Sequence, residues 1–260
     1  MNNTLNYGMN VQAIFGSNTA GMGIAEFLSL EAARMAQTLG YHRPMINPTE
    51  DEATCYRTFW VIYYLDKGLT FMHGRSSVSQ PPLFPRLWGT LPSTGTNTAG
   101  IQSIADHDVS CPIIPTGEAR FKVDFDKFVS CLRLGRIWSK AYERLFSVTA
   151  NLNPIGQYEI NIDAIKSELE AWRRSLPEEV RPGSPISGTR MAEGCLRLYY
   201  AYYDISIALG RLSLYVGRKA AKSEAHKARM KAAENDLLGS ARAVARLTTC
   251  IDIRPYTPIW

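Results

Sequence analysis

Cysteine and histidine are the residue types most able to hold a metal or act as nucleophile and base, and here both are scattered. The five cysteines and four histidines lie far apart, and no two cysteines form a Cys-x-x-Cys pair. Tetrahedral zinc needs clustered sulfur and nitrogen ligands, so the sequence predicts no metal site in this chain. We expect the thiols to be reduced and mostly buried. The cysteines are Cys55, Cys111, Cys131, Cys195 and Cys250.

Charged residues near Trp60 are a second candidate for chemistry. Asp66 and Arg75 could form an ion pair, and Arg57 could pair or cap in the same way. No histidine, nucleophile or second carboxylate is placed to share a reaction with them, which favours a structural ion pair over catalysis. A Gly-Met-Gly sequence at 21–23 lacks the preceding strand, third glycine and lysine of a phosphate loop. The sequence therefore predicts no catalytic residue and no enzyme.

Two further patterns suggest binding. Tyr199, Tyr202 and Tyr203 could line an effector pocket, because tyrosine combines an apolar ring with a hydroxyl; packing in the core is the alternative for such an aromatic stripe. The stretch 211–231 carries seven basic residues and could bind nucleic acid or direct nuclear import. A solvated helix and its connecting loop is the favoured interpretation of that stretch.

The composition suits a folded protein that does not enter a membrane. Of 260 residues, 45% are apolar and 20% are charged, which provides a core and is not typical of a disordered chain. The net charge of +5 is too small to indicate nucleic-acid binding by itself. No apolar run approaches the roughly 20 residues that cross a bilayer, and the first residues lack a secretory signal. We expect a soluble intracellular protein.

Helical periodicity dominates the chain. Apolar residues recur at spacings of three and four, and no segment alternates with period two, so the fold class is predicted to be all-α, a multi-helix bundle. Asp124 is placed to cap one helix, and Pro177 to end another. The predicted helices cover 24–39, 53–72, 124–145, 162–176, 191–216 and 223–250.

Two of these segments carry a family resemblance. EAARMAQTLGYHR at 31–43, followed by YRTFWVIYYLDKGLTFMHGRSS at 56–77, resembles the middle homology region of fungal Zn2Cys6 (zinc binuclear-cluster) transcription factors, of the xylanolytic activator type. The likeness continues through shorter segments to the end of the chain. The residues that match the family's motif are Arg57, Phe59, Trp60, Asp66, Lys67, Gly74 and Arg75.

The resemblance implies a nuclear regulatory domain that controls transcription and is not an enzyme. The family binds zinc in a six-cysteine DNA-reading cluster, which residues 1–23 do not resemble, so we expect no cofactor in this chain and DNA contact only through that missing module. It also implies a small-molecule effector, a homodimer or contacts with the transcription machinery as partners. The alternatives are a small-molecule-binding helical protein that acts without DNA and a non-functional truncated product.

The resemblance also sets the expected domain boundaries. We expect a flexible segment at 1–23 and one regulatory domain at 24–260, truncated at its C-terminus. Residues 78–102 interrupt the family pattern with four prolines and three glycines and are expected to be a disordered insertion. Val78-Ser79-Gln80 can be encoded by a splice-donor sequence and Gln102 by an acceptor, so our hypothesis is a retained intron. A proline-rich surface loop is the alternative.

Overall fold

The computed structural model describes residues 22–45, 52–73, 104–114, 127–147, 149–184, 189–219 and 224–250. Within those ranges the chain is helical and contains no strand, which confirms the predicted all-α class. The α-helices are α1 (Met22–Thr38), α2 (Glu52–His73), α3 (Lys127–Ala141), α4 (Ile155–Ser175), α5 (Thr189–Lys219) and α6 (Glu224–Leu247).

Most of the observed helices follow the predicted ones, but α4 begins at Ile155, seven residues before its predicted start at 162. Helix α2 extends the predicted 53–72 by one residue at each end, and α4 ends at Ser175, two residues before Pro177. Helix α3 departs from its prediction, because the α-helix ends at Ala141 and a π-helical turn, Tyr142–Phe146, follows it. Other predictions lie outside the described residues: the Asp124 cap, the 78–102 insertion, Gly74 and Arg75.

The described residues form two compact units, one within 22–139 and the other within 140–250. In the first unit, α1 contributes alanines to a core that α2 fills with large aromatic rings. Short alanine side chains let the two helices approach closely, so the aromatic rings of α2 are almost completely shielded from water. The central residues of this core are Ala32, Ala33, Ala36, Tyr56, Phe59, Trp60 and Tyr63.

Helix α3 packs against the far end of α2 through Trp138. A Cβ atom at Gly68 would lie 3.2 Å from the Trp138 ring, so glycine lets the ring rest on the helix backbone. Tyr64 and Phe71 complete the contact, with ring centres 5.3 and 6.4 Å from that of Trp138. These contacts hold α3 beside the part of α2 that carries the candidate site.

The second unit is built on α5, which packs along α6 on one side and α4 on another. A Cβ at Gly210 would lie 3.3 Å from Leu237 Cβ, and one at Gly217 would lie 2.6 Å from Met230 Cγ, so two glycines allow the close approach of α6. Toward α4, Tyr202 stacks on Trp172 with ring centres 6.1 Å apart.

No helix in the described ranges is both long enough and apolar enough to span a membrane. The flexible segment predicted for 1–23, the single domain predicted for 24–260 and its truncation stay predictions.

Candidate functional site

One face of α2 carries four side chains whose polar atoms point at neighbouring backbone or side chains. Tyr56, Trp60, Tyr63 and Lys67 are spaced by four, three and four residues, which places them on one side of a helix. All four are at most 1% exposed. We call these four residues the polar face of α2.

Three of these residues hold the segment 104–114, which contains a short 3-10 turn at Asp106–Asp108. The Trp60 Nε1 atom donates to the Pro112 carbonyl at 3.0 Å, and the Tyr63 hydroxyl donates to Asp106 Oδ1 at 2.7 Å. The Lys67 ammonium donates to the Ile104 carbonyl. Because the three partners follow in reverse order along the chain, the segment runs antiparallel to the helix.

Tyr56, the most N-terminal residue of the polar face, holds the part of the chain that follows α1. The Tyr56 hydroxyl accepts a hydrogen bond from the Met45 backbone N–H at 2.8 Å and donates to Glu52 Oε1. The His42 carbonyl, in the same connection, accepts hydrogen bonds from the backbone N–H groups of Ser110 and Cys111. Polar contacts therefore tie the chain after α1, helix α2 and the segment 104–114 to one another.

Lys67 is the most unusual member of the face, because its side chain is completely buried. Its Nζ atom lies 3.6 Å from Asp66 Oδ2 and 3.6 Å from Asp106 Oδ1. Asp66 Oδ2 also accepts the Ile104 N–H at 3.3 Å. Burying an ammonium is costly unless it is paired and hydrogen-bonded, and both conditions are met here.

Burial also sets the protonation states around the face. It raises the pKa of the Tyr63 hydroxyl, and the charge of Asp106 raises it further, so Tyr63 remains a donor at physiological pH. Burial raises the pKa of the Cys111 thiol to about 12 and lowers the pKa of His42. The thiol therefore stays protonated at neutral pH and is a poor nucleophile.

A cavity of about 270 Å³ opens beside the polar face. Its lining combines two aromatic rings, an aliphatic side chain, a carboxylate and a guanidinium. The Arg136 guanidinium carbon, from α3, lies 5.4 Å from the centre of the Trp60 ring, a cation–π contact. The lining residues are Trp60, Tyr63, Asp106, Val109 and Arg136.

The structure describes some of the residues that match the family motif, and others lie outside the described ranges. Phe59 and Trp60 are fully buried in the core, and Asp66 contacts Lys67 and the Ile104 N–H. The ion pair predicted between Asp66 and Arg75 cannot be described, since Arg75 lies outside the described residues; Arg57 is half-buried on α2. We missed the shared face of Tyr56, Tyr63 and Lys67, although their spacing was visible in the sequence.

The predicted tyrosine pocket lies in the second unit, where its members pack against other rings. Tyr199 and Tyr203 are buried, and Tyr202 lies between Trp172 and Tyr203, with ring centres 6.1 and 5.1 Å away. Burial raises the pKa of Tyr199 to about 12, so its hydroxyl stays neutral. The effector pocket at these tyrosines stays a prediction.

The basic stretch at 211–231 has part of its charge engaged within the second unit. Arg229 lies 2.7 Å from Asp163 Oδ1 and Lys227 lies 2.6 Å from Glu224 Oε1. Lys219 lies over the Tyr215 ring, 4.8 Å from its centre. These contacts agree with a solvated helix surface. Nowhere in the described ranges do three metal-binding side chains gather into a cluster.

Residues 13–174 match the family described as fungal specific transcription factor domain. Two curated relatives are each described as an ABC-transporter-regulating transcription factor. That of Aspergillus fumigatus is 28% identical over 80% of this chain and 23% of its own length. That of Aspergillus oryzae is 27% identical over the same shares of the two chains.

A third relative is an uncharacterized transcriptional regulatory protein of Schizosaccharomyces pombe, 24% identical over 66% of this chain and 24% of its own. The chain therefore spans about a quarter of the length of these curated relatives. No solved structure matches the chain. The matched range 13–174 contains the polar face of α2, the segment 104–114 and Arg136.

Proposed function

The chain belongs to the fungal specific transcription factor domain family, and we propose that it is a regulatory domain that controls transcription in the nucleus without catalysing a reaction. In this proposal the domain acts by shifting between restrained and active arrangements in response to its contacts. The observation that carries the proposal is the family match, which covers both helices of the first core and the residues they position.

The chemistry of the site supports a regulatory role better than a catalytic one. The Lys67 ammonium is committed to the Ile104 carbonyl and to two carboxylates, and the Cys111 thiol is protonated at neutral pH. A catalytic amine or thiol would need to be unprotonated and reachable by a substrate. The Lys67 ammonium instead holds the segment 104–114 in one register on α2.

DNA binding by the whole protein is a separate proposal. We propose that DNA is read by a zinc-cluster module and that the present chain contributes regulation, dimer contacts or contacts with the transcription machinery. The zinc would then be held by residues of that module. The two Aspergillus relatives are described as regulating ABC transporters, so ABC transporter genes are one class of target to test.

A tethering experiment tests the regulatory role directly. The full 260-residue chain would be fused to a heterologous DNA-binding module and placed upstream of a reporter in a fungal host. We expect the reporter output to differ from that of the module alone, at a basal or a pre-activated promoter. A fluorescent fusion measured in parallel should accumulate in the nucleus.

A matched pair of variants distinguishes regulation from the presence of any folded protein. Lys67→Met removes the buried ammonium, whereas Lys166→Met removes a lysine whose pair with Asp236 is partly exposed. We expect Lys67→Met to alter the reporter and Lys166→Met to leave it unchanged, at equal expression. If the unmodified chain leaves both promoters unchanged at a verified protein level, the proposal is wrong.

A further inference from the structure

The turn that follows α4 carries a serine whose hydroxyl is not used by the fold. Ser184 is half-buried beside the exposed Gly183, and within the described ranges its hydroxyl takes part in no hydrogen bond. A bond of 3.0 Å from the Ser184 backbone N–H to the Arg181 carbonyl closes the turn. The serine therefore lies on a short loop, where a modifying enzyme can approach it without unwinding a helix.

The next residue in the sequence, Pro185, decides which kind of enzyme would recognise Ser184. A residue before proline is driven out of the helical region into extended backbone, the form in which protein kinases bind their acceptor residue. Proline-directed kinases have a pocket after the acceptor that suits a residue without a backbone N–H. The sequence has one other serine or threonine directly before a proline, Thr257.

Arg181 provides a second observation, because its guanidinium lacks an anionic partner. Its Nη2 atom donates to the Leu176 carbonyl at 2.9 Å, at the end of α4, but its Nε atom is buried without a hydrogen-bond partner. No carboxylate in the described part of the chain forms an ion pair with it. Arg173 reaches the same turn, where its Nη1 atom donates to the Pro182 carbonyl at 3.1 Å. Two guanidiniums therefore border the turn.

The neighbouring carboxylates do not provide the acceptor that Arg181 lacks. Glu170 is occupied by the two arginines near the end of α4. Glu178 and Glu179 are exposed, and neither forms an ion pair with a described residue. Counted together, the arginines and glutamates around the turn balance, so no excess charge is there to draw in a free anion. An anion attached covalently to the turn would give Arg181 a partner.

We propose that Ser184 is a phosphorylation site for a proline-directed protein kinase and that its phosphate pairs with Arg181. The Ser184 hydroxyl oxygen bonds to the γ-phosphorus of ATP, and the bond from that phosphorus to the β,γ-bridging oxygen breaks. ADP leaves, and the catalytic base of the kinase takes the hydroxyl proton. The product carries up to two negative charges and three acceptor oxygens. Because Arg181 already donates to carbonyls at the end of α4, the phosphate ties the turn to that helix.

The modification is tested on the folded full chain with a purified mitogen-activated protein kinase and Mg·ATP. Mass spectrometry of proteolytic peptides would locate the phosphate, which we expect on Ser184 and not in Ser184→Ala. The control Thr257→Ala should leave phosphorylation of Ser184 unchanged. A free peptide of residues 179–189 sets the rate for full access. We expect the folded chain to react within about tenfold of it, whereas a serine reached only by global unfolding would be slower by about a thousandfold or more.

Phosphorus NMR of the phosphorylated chain tests the pairing with Arg181. A guanidinium beside the phosphate favours the dianion and lowers the pH at which the phosphoserine signal titrates, which is about 6 without a partner. We expect this midpoint to rise by about 0.5 pH in Arg181→Met and by less in Arg181→Lys, which keeps the charge. Arg242→Met, which removes an exposed arginine of α6, should leave it unchanged. Circular dichroism would verify the helical content of each variant.

Three results would overturn the inference, and none of them depends on whether the chain regulates transcription. The kinase could leave the peptide 179–189 unmodified, which would contradict recognition of Ser184-Pro185. It could modify the peptide but the full chain only after denaturation, which would mean that the fold hides Ser184. Equal titration midpoints for Arg181→Met and the wild-type chain would show that Arg181 does not hold the phosphate.

Discussion

The polar face of α2 and the α5–α6 helix pair are stabilised in opposite ways. The first buries its polar atoms and gives each a specific partner, which for Trp60, Tyr63 and Lys67 lies in the segment 104–114. The second brings two backbones together over glycines. The charges of the second unit lie mostly at its surface, as in the pairs of Arg229 with Asp163 and Lys166 with Asp236.

This contrast predicts that the two regions differ in the substitutions they tolerate. A buried polar group that loses its partner keeps its desolvation cost, so the polar face should tolerate few changes of charge. Surface ion pairs contribute little, whereas a tight helix crossing responds to added volume. The α5–α6 pair should therefore tolerate changes of charge and respond to changes of size.

The largest expected effect is at Lys67. Lys67→Met leaves Asp66 and Asp106 without their buried ammonium, and we expect a loss of about 3–5 kcal/mol in the free energy of unfolding. Urea denaturation followed by circular dichroism measures this loss. The matched variant Lys166→Met, whose partner Asp236 is 62% exposed, should change stability by less than about 1 kcal/mol.

A combined variant separates the cost of uncompensated charge from the loss of packing. Replacing Lys67 with Met together with Asp66→Asn and Asp106→Asn removes all three charges, and we expect it to recover part of the lost stability. Equal midpoints for Lys67→Met and Lys166→Met would contradict the contrast between the two regions.

Asp204 is an exception within the second unit, because its carboxyl group is largely shielded from water. Burial raises its pKa to about 6, and its Oδ2 atom has no hydrogen-bond partner in the described residues. The folded state then holds a proton that the unfolded state releases, so stability falls as the pH rises from about 4 to about 6. Asp204→Asn should remove this fall and gain about 2–3 kcal/mol at pH 7.

Urea denaturation of both proteins between pH 4 and pH 8 checks this expectation. Near pH 4 the two midpoints should coincide, because Asp204 is then protonated in the folded state and about half protonated when unfolded. A constant difference at every pH would show that the substitution acts through packing instead.

The helix crossing of α5 and α6 is sensitive to volume. Gly210→Val adds atoms where a Cβ would already lie 3.3 Å from Leu237 Cβ, and we expect a loss of about 1–3 kcal/mol. Gly239→Val, on α6, meets open space and should change stability by about 0.5 kcal/mol or less. Thermal melts of the two variants compare them, and similar Tm values would argue against a tight crossing.

The smallest expected effect concerns the surface charges of α4. Glu170 accepts hydrogen bonds from Arg173 and Arg174, and those bonds lower its pKa to about 2. This stabilisation is present above pH 4.5 and is lost as the pH falls through about 2. Because the group is 34% exposed, Glu170→Gln should cost only about 0.5–1 kcal/mol at pH 7.

Urea midpoints at pH 7 and near pH 2 would measure this small difference. A loss at pH 7 comparable with that of Lys67→Met would mean that surface pairs in the second unit are as important as buried ones.

The helices could be predicted from the sequence, and the contacts of the polar face could not. Apolar spacing places α2 within one residue at each end, since a helix repeats over a few residues. The same spacing gives no sign that Lys67 is buried, because lysine on a helix is usually exposed. The segment 104–114 has no periodicity, and its partners on α2 lie 37 to 52 residues earlier.

The residues that line the cavity beside Trp60 could not be predicted from the sequence either. Trp60 and Arg136 come from helices that are distant in the chain, and their contact depends on the packing of α3 against α2, to which Trp138 on Gly68 and Leu132 contribute. The tyrosines at 199–203, which are adjacent in sequence, suggested a pocket more readily than residues that converge from three segments.

The sequence by itself determined the all-α class, the approximate positions of the helices and the family, because local periodicity and motif order are properties of neighbouring residues. Only the tertiary structure decided which buried groups pair, that Lys67 serves two carboxylates and a carbonyl, and that Arg136 lies on Trp60. The physical reason is that hydrogen bonds and charge pairs act over a few ångströms in space. Their partners are therefore set by packing and not by distance along the chain.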